Sequence, residues 1–255
     1  MSDLSGPQRD ALVAYITAIA DDELVLGHRA SEWTGLGPVL EADIALSSIA
    51  QDELGHARVW YELLAALTGA TPDEMVFQRP WHAFRNAQLS ELPRGDWAFT
   101  VVRHYLHDAA EQARLEALAE AAYQPVAQVA RKLRVEEKYH LLHGRSWITK
   151  LGRATEESAR RMQVALDLAY PYALGLFEPI EGEEELVAAR ILPASGEVHA
   201  RWEYEAGRFL AQVGLRLPLP ARAVLGGRQG QHTDHLQALV EALQLVARIA
   251  PPGTW

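Results

Sequence analysis

Four stretches of this 255-residue chain carry apolar side chains at alternating steps of three and four, and each stripe is interrupted near its middle by carboxylates or imidazoles. The first runs Leu12, Ile16, Ile19, Glu23, Leu26, Ala30, and the second Leu46, Ile49, Glu53, His56, Trp60, Leu63, Leu67. The third runs Val101, His104, Asp108, Glu111, Leu115, Leu118, and the fourth Leu133, Glu137, His140, Gly144, Trp147, Leu151. Such spacing puts every member of a stripe on one face of a helix. The chain is therefore committed to long helices whose core-facing sides also bear metal-ligand side chains. A buried carboxylate without a compensating charge is strongly unfavourable, so side chains of this type on four core faces call for a cation among them.

The rest of the sequence supports helix throughout. Ala, Leu, Glu, Gln and Arg fill long stretches between Gly and Pro, while β-branched and aromatic residues are scattered. The pattern predicts helices at about 7–31, 38–68, 95–121 and 125–151, then at 155–173, about 197–213 and 233–249. Thr34-Gly35-Leu36-Gly37-Pro38 ends the first and starts the second, with Pro38 expected near the first turn. Gln124-Pro125 separates the third and fourth, and Thr155 before Glu156 and Glu157 reads as an N-cap. Residues 69–94, with three prolines, match the long crossover of ferritin-like bundles. The expected architecture is one all-α domain over 1–255: a ferritin-like four-helix bundle at about 7–151 with additional C-terminal helices at about 155–250. An acidic run at Glu181 to Glu185 and a Pro/Gly-rich stretch from Gly214 to Gly230 divide those later helices, and the second of these reads as a surface loop.

Composition removes several functions. Thirty-four acidic against 24 basic residues, a net charge of −10, would repel a phosphate backbone and offers no basic stripe, so neither nucleic acid nor a membrane surface is an expected partner. The absence of cysteine rules out disulfides, thiolate metal ligands, iron–sulfur clusters and a cysteine nucleophile. The start, Met1 to Asp10, is polar, and no run approaches the roughly 20 apolar residues of a spanning helix. A cytoplasmic protein is expected.

Glu and His three apart on a helix can converge on one ion, and ferritin-like metal sites combine two such pairs with one carboxylate from each of two other helices. The matching set is Glu23 with Glu53 and His56, and Asp108 with Glu137 and His140. With 23 Glu and 10 His in the chain, chance alone yields about one Glu-x-x-His, so the motif by itself means little. Its weight comes from the stripes and from spacing: 30 positions separate Glu23 from Glu53 and 29 separate Asp108 from Glu137. Carboxylates with two imidazoles and no thiolate suit two iron ions first and manganese second. Glu111 shares the third stripe and is an alternative to Asp108, although its spacing to Glu137 is poorer. Glu136 and Asp52 read as solvated acids, His104 as a core histidine, and Trp60, Trp147 and Tyr139 as packing residues.

Residues 21 to 45, Asp-Asp-Glu-Leu-Val-Leu-Gly-His-Arg-Ala-Ser-Glu-Trp-Thr-Gly-Leu-Gly-Pro-Val-Leu-Glu-Ala-Asp-Ile-Ala, closely resemble the C-subunit family of the multicomponent phenylacetyl-CoA epoxidases of phenylacetate catabolism. Gly152 to Asp167, with Thr-Glu-Glu-Ser and Arg-Met-Gln-Val-Ala-Leu-Asp, resembles the same family, and the likeness runs over most of the chain. The resemblance implies a ferritin-like component of a monooxygenase that epoxidises the aromatic ring of phenylacetyl-CoA. Its implied partners are a related catalytic A subunit, the other epoxidase components and a reductase subunit that feeds in electrons. It also implies a structural role for a chain whose metal site has decayed. Here, by contrast, Glu23, Glu53, His56, Asp108, Glu137 and His140 are all ligand-competent. Three readings stay open: an oxygenase component with a di-iron centre, a non-catalytic partner of the catalytic chain, and an iron storage or detoxification protein. The helical C-terminal extension argues against the last, and turnover at the chain's own site is not implied.

Overall fold

The computed structural model describes residues 4–249. Met1 to Asp3 of the polar start and the tail from Ala250, with the last position of the expected 155–250 region, lie outside them. The described residues form helices and no strand, so the chain is all-α, consistent with a ferritin-like helical fold. The long helices stand where the stripes place them: α1 (Gly6–Ser31), α2 (Leu40–Thr68), and, after the short α3 (Gln88–Glu91), α4 (Trp97–Leu118) and α5 (Gln124–Ala154). Beyond them come α6 (Glu156–Ala173), α7 (Glu183–Ala188), α8 (Ser195–Gln212) and α9 (Asp234–Ile249).

By contacts the chain divides into two compact units, one made of Leu12–Pro93 and Gly226–Trp255, the other of Met1–Ala11 and Arg94–Leu225. In the first, α1 from Leu12 onward and α2 form a hairpin. Pro38 does not stand in the first turn of α2, as expected; the helix starts at Leu40 behind an extended Val39. Asp43 closes the loop instead, its carboxylate accepting the N–H groups of Gly35 (3.1 Å) and Gly37 (2.9 Å), which also lowers its pKa. The crossover is ordered rather than bare loop: a π-helical turn at Glu74–Gln78, a 3-10 turn at Trp81–Ala83, and α3. α9 packs across all three, and Gln244 donates to the carbonyls of Val76 and Arg79, both at 2.8 Å.

In the second unit, α4 packs on α5, α6 and α8. With neighbours on several sides, nearly every residue of α4 from Ala98 to Leu115 is buried, well beyond its predicted stripe. Trp202 of α8 donates its indole N–H to the Leu106 carbonyl (3.0 Å) and stacks flat on Tyr170 at 5.6 Å. Thr155 and Ser158 form a reciprocal capping box at the start of α6, each side chain accepting the other's backbone N–H at 3.0 Å. The acidic run is partly helical as α7, and Glu183 accepts the Ser195 N–H at 2.8 Å.

The stripes drift at their C-terminal ends. Ile148 is fully buried where Trp147 is half-buried, and Leu64 is buried where Leu63 is half-buried. Three-and-four steps average 3.5 residues, whereas an α-helix has 3.6 per turn, so after about two heptads the core line moves on by one position. Trp60 is fully buried, as expected of packing, and Trp147 meets Trp97 edge-on at 5.2 Å. Tyr139, also expected to pack, is exposed: it follows Glu137 by two positions and points about 160° away from it, out of the core.

Candidate metal centre

In the first unit, Glu23, Glu53 and His56 are buried to 1 % exposure or less. His56 Nδ1 stands 3.9 Å from Glu23 Oε2, so an α1 carboxylate and an α2 imidazole converge. Gly27, one turn beyond Glu23, allows the approach: a Cβ there would lie 3.0 Å from Glu53 Cβ and 3.2 Å from the Ala50 carbonyl oxygen. The glycine lets the two helix backbones close at the level of Glu23 and Glu53.

Glu23 ends a run of three acids whose first two face other partners. Asp21 accepts the Arg85 N–H at 2.7 Å, together with the Tyr61 phenol and the Arg79 guanidinium. Burial, and next the Asp21 charge, push the Tyr61 phenol pKa well up. Asp22 accepts the Ala87 N–H and an Arg228 N–H, each at 2.6 Å. Both buried aspartates escape a reading of the stripes. Their only local signal is an Asp-Asp-Glu run in mid-helix between apolar positions, and their partners lie 40 to 206 residues away.

In the second unit, Asp108, Glu137 and His140 are buried to 2 % exposure or less. His140 Nδ1 is 3.3 Å from Glu137 Oε2, the distance expected of two side chains on one helical face aimed at one point. His107, also missed from sequence, puts Nδ1 3.9 Å from Asp108 Oδ1. Gly144, one turn after His140, brings α5 against α4: a Cβ there would lie 3.3 Å from the Cα and Cβ of Tyr105. Glu111, the alternative to Asp108, is ion-paired with Arg114, whose second nitrogen donates to the Leu176 carbonyl at 3.0 Å. Burial lowers the His143 pKa, with His140 and Lys150 adding to the effect. Glu136 is exposed and Asp52 half-buried.

Each unit thus presents two buried carboxylates and one buried imidazole from the predicted set. Buried Glu and His side chains of this kind could hold a metal ion, and His104, expected as a core histidine, is also a candidate ligand. Carboxylate oxygens with imidazole nitrogens, in a chain without cysteine, are a donor chemistry that fits iron or manganese. Among the described residues, no helix is long and apolar enough to cross a membrane.

The family described as phenylacetic acid catabolic protein matches residues 2–255. The chain is 33% identical over 245 residues to the C component of the 1,2-phenylacetyl-CoA epoxidase of Escherichia coli (strain K12), covering 96% of this chain and 99% of that one. It is 26% identical over 172 residues to the A component of the same epoxidase, covering 67% of this chain and 55% of that one.

Proposed function

Because the chain belongs to the phenylacetic acid catabolic protein family, we propose that it serves as the C-type component of a 1,2-phenylacetyl-CoA epoxidase and holds two metal ions, iron before manganese. The ligands in this reading are Glu23, Glu53, His56, Asp108, Glu137 and His140, and the two units together make one ferritin-like domain. The complex is a cytoplasmic hetero-oligomer in which a related A-type chain oxidises the ring of phenylacetyl-CoA and a reductase supplies electrons. The single observation that carries the metal reading is the burial of all six ligand-type side chains, none more than 2 % exposed. So many ionisable groups on core faces are tolerable only with compensating positive charge.

Iron held by these residues would supply the activation of dioxygen. The protein's part is to fix the donors and keep them dry. Glu23 and His56 are set by the α1–α2 contact at Gly27, and Glu137 and His140 by their helical spacing and the α4–α5 contact at Gly144. Ile19, Leu26, Ile49, Trp60 and Leu133, all buried on the same stripes, keep water from the carboxylates.

The test is metal analysis of the isolated chain after anaerobic loading with ferrous iron, followed by exposure to oxygen. About two ions per chain and an optical change on oxygen are expected, and Glu53→Ala should lose both. A chain that takes up no metal in stoichiometric amounts overturns the metal reading. Should an epoxidase complex carrying Glu53→Ala keep full activity, the chain acts as a scaffold for its catalytic partner.

A further inference from the structure

The stretch Gly226-Gly-Arg-Gln-Gly-Gln-His232 begins inside the Gly214–Gly230 segment that reads from sequence as a surface loop, yet Gly226, Gly227 and Arg228 are buried. Its glycines are required by where it lies. Gly226 and Gly230 have φ of 108° and 79°, and a Cβ on Gly227 would stand 2.4 Å from the Asn86 carbonyl oxygen. The backbone is pressed onto the crossover, and that contact delivers Arg228 to α1.

There Arg228 binds three acceptors. One terminal nitrogen donates to Asp22 Oδ2 at 2.6 Å; the other donates to the Ala18 carbonyl at 3.1 Å and the Arg85 carbonyl at 3.0 Å. Ala18 and Asp22 are one helical turn apart, so a single guanidinium grips one turn of α1 and ties it to the crossover. The other oxygen of Asp22 is held by the Ala87 N–H. Four residues on, His232 is wedged between Glu91 Oε2 and the Phe84 carbonyl, both at 2.9 Å, which anchors the segment a second time.

We infer that Arg228 is a positioning residue for the metal ligand Glu23, acting through Asp22 from a segment some 200 positions downstream; this rests on the metal centre proposed above. Successive helical residues differ by about 100° around the axis. Pinning Asp22 on one side of α1 therefore fixes the rotation that aims Glu23 toward His56. Residues that orient a ligand in this indirect way commonly change metal affinity by about 10- to 100-fold when removed.

The experiment titrates the full-length chain with Mn²⁺ and follows the free ion by electron paramagnetic resonance, alongside thermal melts, for wild type, Arg228→Met, Arg228→Lys and Gln244→Met. Gln244 ties the same C-terminal region to the crossover, its amide N–H groups going to the carbonyls of Val76 and Arg79 and not to an α1 acceptor, so its variant reports simple loosening. Arg228→Met should bind Mn²⁺ about 10-fold or more weakly, and Arg228→Lys should recover part of that, since one ammonium can reach Asp22 but not all three acceptors. Gln244→Met should melt earlier and keep wild-type affinity. Wild-type affinity in Arg228→Met, or an equal affinity loss in Gln244→Met, overturns the inference. If Arg228→Met does not fold, Arg228→Lys decides by the same criterion. A wild-type chain that binds no Mn²⁺ or iron overturns the metal centre itself, an outcome distinct from the others.

Discussion

Gly27→Ala isolates the close helix contact beside the proposed ligands Glu23 and Glu53. In isolation the change favours α1, because alanine exceeds glycine in a helix interior by about 1 kcal/mol. Against this, the added methyl would stand 3.0 Å from Glu53 Cβ, 3.2 Å from the Ala50 carbonyl oxygen and 3.2 Å from Leu54 Cγ. Leu54 can turn aside. The other two atoms belong to the α2 backbone or are fixed to it, so the helices must part by a few tenths of an ångström. Overpacking of this kind costs about 1–3 kcal/mol, leaving a net loss of about 1 kcal/mol. Gly55→Ala, on an exposed face of α2 with nothing within 4 Å of the new Cβ, keeps only the propensity gain of about 1 kcal/mol. Two identical methyl additions should thus differ by about 2 kcal/mol with opposite signs. At about 2–4 °C per kcal/mol, Gly27→Ala should melt roughly 3 °C below wild type and Gly55→Ala roughly 3 °C above it. Far-UV circular dichroism melts, paired with urea midpoints, read both. Gly27→Ala melting at or above Gly55→Ala would show that no tight α1–α2 contact exists at the level of Glu53.

Burial lowers the His28 pKa below 6.5, against a smaller upward pull from Glu32. Between the lowered value and 6.5 the unfolded chain binds more protons, so stability should rise with pH through that interval and fall away as pH drops through it; His28→Gln should flatten the urea-midpoint slope between about pH 5 and 7. An unchanged slope would refute the assignment. Thr155→Ala removes the capping box of α6 and should lower stability by about 1 kcal/mol, read as a urea-midpoint shift with an unchanged m-value.

Much of the site is written into the local pattern. Glu23, Glu53, His56, Asp108, Glu137 and His140 are legible from stripes alone, because helical periodicity dictates which residues face inward whatever the partner is, and all six are buried. Glu111, already the poorer match to Glu137 in spacing, also carries an ion pair with Arg114 that the sequence does not reveal. His107 and Arg103 lie off the predicted stripe yet are buried, on a helix that α5, α6 and α8 all pack against. Tyr139, of a residue type expected inside, stands on an exposed side of its helix.

By itself, then, the sequence determined the helices, their inward faces and a set of metal-ligand side chains, since each depends on periodicity and capping within some thirty residues. What only the tertiary structure decided is who satisfies the charges around that set. Asp21 is held by Tyr61 of α2 and by Arg79 and Arg85 of the crossover, and Asp22 by Ala87 of the crossover and by Arg228 across 206 positions. A buried carboxylate must be paired, but that requirement names no partner; only the folded path of the chain brings one within hydrogen-bonding distance.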